Sequence, residues 1–156
     1  MPIQKLLKIY IPRALIAAAV YCIAVVIFLS HGNYQSIWIL FLGNVLYMLS
    51  ITAIVYLTYH AHLFKESPVT SAISGHILSL TGAALSVILS LLLYFLFDLI
   101  IRSSHGETLQ NAPAGFAANS THGMLFVLVI LAAFGNTVAG FFAALFTSFD
   151  VSKKTS

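Results

Sequence analysis

The chain has 156 residues, 60% of them apolar and only 7% charged, with a formal net charge of +3. A soluble domain carries roughly a quarter charged residues, so seven basic and four acidic side chains are too few to cover a surface facing water. With a mean hydropathy of +1.01 the solvent is expected to be lipid, and the scattered lysines and arginines form no patch for nucleic acid.

The expected fold is an all-α integral membrane bundle of four transmembrane helices, one domain over residues 1–156. A bilayer core needs about 20 mainly apolar residues per helical span, and four stretches supply them. The first, residues 9–30, follows Lys5 and Lys8 and holds Pro12 near its start, where a first-turn N–H lacks a helical partner in any case. Its basic start resembles a signal peptide, but the run ends Phe28-Leu29-Ser30-His31 without a small-x-small cleavage site, so a retained helix is expected. The lone Cys22 lies in its apolar run and reads as a small packing residue.

The second span covers residues 36–59 and carries Asn44; the Ala61–Gly75 loop leads to the third, residues 76–101, which carries Ser79, Gly82, Ala83, Ser86 and Ser90. At its end Asp98 and Arg102, four residues apart, read as an interfacial ion pair worth a few tenths of a kcal/mol. The polar loop 102–122 contains Pro113, Phe116 as a possible anchor for a short cap, and the formal sequon Asn119-Ser120-Thr121. The fourth span, residues 123–149, holds small or polar residues every fourth position: Ala132, Asn136, Gly140, Ala144 and Ser148.

Lys5, Lys8, Arg13, Lys65, Lys153 and Lys154 fall on one side of this arrangement and only Arg102 on the other. The positive-inside rule then places both termini in the cytoplasm, and a bacterial inner membrane is the expected location. Tyr34 and Trp38 suit the outer interface, and Tyr10, Tyr56 and Tyr59 the inner one. A weak internal repeat links two helical hairpins: Ser30-His31-Gly32 matches Ser104-His105-Gly106, and Gly43-Asn44 matches Gly135-Asn136.

Asn44 and Asn136 lie well inside their spans, where an amide must find partners because an unsatisfied polar group in hydrocarbon costs several kcal/mol. They read either as interhelical hydrogen-bonding groups or as the lining of a polar path. Gly82, Ser86 and Gly140 belong to small-residue stripes that let helices approach, within one bundle or between subunits. No Asp, Glu, Lys or Arg lies near a span's middle, which counts against a coupled transporter or pump.

The six histidines form two belts, His60, His62 and His76 on one side and His31, His105 and His122 on the other. The layout is compatible with haem ligation, but ligands at helix ends and in loops suit it poorly. His31, His105 and His122 remain metal candidates, with Asp98 or Glu107 nearby. No cofactor is called for by any motif, and no nucleophile elbow, carboxylate pair or phosphate loop signals catalysis. The sequence therefore points to a non-enzymatic accessory or structural subunit that associates with itself or with a larger membrane-protein partner. The alternatives are a small passive channel or carrier, then a histidine-ligated haem or metal protein.

Overall fold

A computed structural model describes residues 3–60, 68–101 and 120–155, with side chains over 8–58, 72–97 and 123–147. Helix α1 spans Ile3–His31, and a 3-10 turn, Tyr34–Ile37, leads into α2, Trp38–His60. Helix α3 covers Pro68–Ile101. The last span consists of α4, Ser120–Ile130, a π-helical turn, Leu131–Gly135, and α5, Asn136–Thr155. The fold is an all-α four-helix bundle, and the stretches Lys8–His31, Tyr34–Thr58, Ala72–Phe97 and Gly123–Thr147 are long and apolar enough to cross a bilayer.

Three details correct the reading from hydropathy. Pro12 lies well inside α1 rather than in its first turn, because the helix extends back past the apolar run to Ile3. Its ring removes the N–H that would bond the carbonyl four residues earlier. Helix α3 begins at Pro68, eight residues before the expected start of the third span, so the preceding loop is shorter than Ala61–Gly75. Proline suits a helix start, since no partner awaits its missing N–H. The fourth span is not one continuous α-helix; the π turn interrupts it at its middle. Ser120 and Thr121 of the sequon open α4, whereas Asn119 and Phe116 lie outside the described residues.

The α1–α2 connection shows how a tight hairpin is closed. Gly32 adopts φ 60° and returns its N–H to the Phe28 carbonyl at 3.3 Å, which ends α1. Asn33 then caps the 3-10 turn, its Oδ1 accepting from the Gln35 N–H at 2.9 Å.

Because the helices are apolar all round, no amphipathic stripe selects their inward faces. Size and polarity select them instead. On α1 the buried positions include the small Ala14, Ala17, Ala18 and Ala24 together with Tyr10, Tyr21, Val25, Phe28 and Leu29, while Leu15, Ile16 and Ile23 point outward. Lipid tails are as apolar as leucine, so burying large side chains offers no advantage there; close packing of small ones does.

Around the bundle the order is α1, α2, α5, α3: α1 packs on α2 and α3, α5 packs on the same two, and α2 touches α3 only lightly across a diagonal. The hairpins thus lie side by side in one orientation rather than facing each other across a two-fold axis. This arrangement sets the two Gly-Asn motifs together where α2 meets the fourth span.

Candidate functional site

Five helical glycines mark close approaches. A Cβ on Gly43 would come 2.7 Å from Ala24 Cβ and 3.2 Å from the Tyr21 ring, joining α2 to α1. One on Gly75 would come 2.9 Å from Ala144 Cβ, and one on Gly140 2.6 Å from Ser79 Cβ, so α3 and α5 are sealed at two levels. At Gly82 it would strike the Tyr47 hydroxyl, and at Gly135 the Asn44 amide. The stripes on α3 and the fourth span meet inside a single chain at these points.

At Gly82, Gly135 and Gly140 the group admitted is polar. The Tyr47 hydroxyl donates to the Ser79 carbonyl at 2.6 Å, a bond from α2 to α3. Ser86 Oγ donates to the Gly82 carbonyl of its own helix at 2.9 Å, and Thr147 donates to the carbonyls of Ala143 and Ala144, each at 3.0 Å. Such back-bonding satisfies a hydroxyl without a neighbour. Ser79, Gly82, Ser86 and Ser90 form the polar file on the inner face of α3, all buried.

Four side chains, Ser90 of this file among them, are not satisfied so. Among the described residues the Tyr21 hydroxyl, Asn44 Oδ1, Ser90 Oγ and both amide atoms of Asn136 are buried without a hydrogen-bond partner. Asn136 is 0% exposed. Tyr21, Asn44, Ser86 and Asn136 each lie within two residues of their spans' midpoints, about 3 Å along a helix axis. Asn44 packs at Gly135, next to Asn136 in the chain, and Tyr21 packs at Gly43, next to Asn44. One turn along the antiparallel pair from Ser79–Gly140, Ala83 comes level with Asn136.

The π turn contributes to this placement. Residues spaced by four on an α-helix drift about 40° around the axis per step. The wider turn at Leu131–Gly135 offsets part of that drift, and Ala132, Asn136, Gly140 and Ala144 all remain buried. π turns recur at functional sites for this reason: they re-aim side chains without breaking the helix.

A second feature lies at the end of the bundle that carries the N-terminus. A recess no larger than a single water, its wall mainly apolar, lies among Tyr10, Arg13, Val55, Thr58, Ser74, Gly75 and Leu78. The Arg13 guanidinium is half-buried and makes only a long 3.4 Å contact with the Ile9 carbonyl of its own helix. Tyr10 is buried here, whereas Trp38 and Tyr56 are exposed.

His31 and His76, the histidines whose side chains are described, each contact a group other than histidine. His31 Nδ1 lies 2.8 Å from the Ile27 carbonyl of its own helix, and His76 stacks on Phe141 at 4.9 Å between ring centroids. Among the described residues no group of three His, Cys, Asp or Glu side chains converges. His62, Arg102, His105 and Glu107 lie outside the described residues, as do the side chains of His60, Asp98 and His122. Most of the two belts and the Asp98–Arg102 pair therefore lie outside the described side chains.

Tyr21 and Tyr47 escaped the sequence reading, which took tyrosines as interface markers. Their signal was present: each falls in the middle of an apolar run, far from either interface. No protein family, characterised protein or solved structure matches the chain.

Proposed function

We propose that this chain is a non-enzymatic integral membrane protein, an accessory or structural subunit that presents a rigid apolar bundle to itself or to a larger membrane partner. The carrying observation is where its small residues go. Gly43, Gly75, Gly82, Gly135 and Gly140 are used inside the chain, which makes the bundle self-sufficient. Its outer wall is left to large side chains such as Ile16, Leu49, Leu57 and Phe95. A partner would meet these side chains, and the most concentrated aromatic file is Phe134, Phe141, Phe142 and Phe146. Aromatic side chains dominate interface energetics when they are anchored by packing. The excess of Lys and Arg at the chain ends supports cytoplasmic termini.

Native mass spectrometry of protein gently extracted from its own membrane tests this reading. Added polypeptide mass, or a homo-oligomer, that is lost with Phe142→Ala and Phe146→Ala supports it. A bare monomer under every mild extraction refutes it.

A second reading, a small passive channel or carrier, is favoured by one specific observation: the buried polar file on α3 with unpartnered Asn136 beside it. Flux of small solutes through proteoliposomes, diminished by Asn136→Leu, supports that reading, and wild-type protein with no flux removes it.

A further inference from the structure

We propose that the centre of the bundle is a binding site for a small uncharged molecule that both donates and accepts hydrogen bonds, held by Asn136 and Asn44 with the hydroxyl of Tyr21. The site does not depend on which functional reading holds.

Unmet hydrogen bonding is the first part of the argument. In hydrocarbon an unsatisfied amide or hydroxyl costs several kcal/mol, and here such atoms come from α1, α2 and the fourth span. Asn136 has a free donor and a free acceptor, Asn44 a free acceptor, and Tyr21 a hydroxyl. A ligand that only accepts would leave the Asn44 and Asn136 oxygens unmet, and one that only donates would leave the Asn136 amide N–H unmet.

Charge gives the second part. Residues 14–58, 72–97 and 123–147 contain no Asp, Glu, Lys or Arg. An ion at this depth would have no counter-charge, whereas a neutral dipolar molecule needs none. Geometry gives the third. Asn44 seats against Gly135, beside Asn136, and Tyr21 against Gly43, beside Asn44, so these groups are neighbours at one level and the close packing there limits a ligand to a few heavy atoms. Ser86 and Ser90 continue the polar file one and two turns beyond Gly82, so the site has a hydroxyl-lined flank on α3.

Water and a small neutral solute such as urea or glycerol share this chemistry. Water-edited solid-state NMR on wild-type side chains distinguishes them. The protein is labelled with 15N-asparagine in lipid bilayers, and Asn111→Ser with Asn119→Ser leaves signals only from Asn33, Asn44 and Asn136.

Expected for water is transfer from water to the Asn44 and Asn136 amides as fast as to Asn33, which lies in the α1–α2 connection. If transfer is slow but both amides shift on adding urea or glycerol, and Asn33 does not, the site takes a solute. Slow transfer together with no shift overturns the proposal. Asn136→Leu supplies an independent readout: the Asn44 amide must lose its fast transfer, or its solute-induced shift, in a variant that still gives wild-type helical content. An Asn44 signal unchanged in that variant also overturns it.

Discussion

The contact between Gly140 and Ser79 makes the sharpest test of how the bundle is held. A methyl added at Gly140 would sit 2.6 Å from Ser79 Cβ, about an ångström inside ordinary carbon–carbon contact. Ser79 is buried on α3 and cannot swing away without moving its backbone. Inserting a methyl into a packed core costs about 1–3 kcal/mol. Alanine recovers about 1 kcal/mol over glycine through helix propensity. Gly140→Ala is therefore expected to destabilise the bundle by about 1 kcal/mol net, and Gly140→Leu by much more.

The decisive variant is the double one. Ser79→Gly removes the obstructing Cβ, so the alanine methyl at position 140 enters the vacated space. The cycle of Gly140→Ala with Ser79→Gly is expected to show a favourable coupling of about 1–2 kcal/mol. Reversible unfolding in mixed micelles, followed by far-UV circular dichroism, measures it. Additivity of the two changes within about 0.3 kcal/mol would show that the helices do not meet there, and the ring order α1, α2, α5, α3 would fall with it.

Other consequences follow from single contacts. Tyr47→Phe removes the hydroxyl that donates to the Ser79 carbonyl and is expected to cost about 0.5–1.5 kcal/mol in the same assay, and no loss would refute an interhelical bond. Gly32 has φ 60° and open space where a Cβ would stand, so only backbone strain opposes substitution. Gly32→Val is expected to cost about 1–2 kcal/mol and Gly32→Asn less, an order that equal losses would contradict. With Cys22 replaced by Ser, Ala114→Cys is expected to react with an impermeant maleimide added to intact cells and Ser156→Cys only after lysis; the reverse pattern would invert the proposed orientation.

Hydropathy located the four spans because a lipid solvent selects runs of apolar residues and nothing else competes with that signal. It located helix ends less well for the same reason. The Pro68–Gly75 segment and the first turns of α1 are helical without being apolar enough to register as lipid-embedded. The π turn left no trace in the sequence pattern, because it is a change of hydrogen-bond partner at residues that any helix would accept. Which faces meet was legible only halfway: spacing by four singled out Asn136, Gly140 and Ala144, but a stripe of small residues reads the same whether its partner belongs to the chain or to a neighbour. Three-dimensional order decides that question, since the opposing residue at Gly140 is Ser79, sixty-one positions earlier in the same chain.

The interior of this bundle combines large apolar residues such as Phe28, Leu40 and Ile51 with a file of small and polar ones, and that file is what makes its centre informative. In water a core of Ser, Thr, Asn and Gly would not hold, because burial of apolar surface is the driving force. In lipid that force is absent, and small residues gain from close backbone approach while hydroxyls bond their own helices. Ser86 and Thr147 follow this pattern fully. Asn136 cannot, because a primary amide carries more donors and acceptors than a single carbonyl satisfies. A leucine there would pack without that debt, so an asparagine at the midpoint of a span, with neither amide atom partnered by the chain, stands apart from the hydroxyls around it. Packing and back-bonding account for the glycines and for Ser86; they leave both amide atoms of Asn136 unmet, which is why the proposed binding site is placed there.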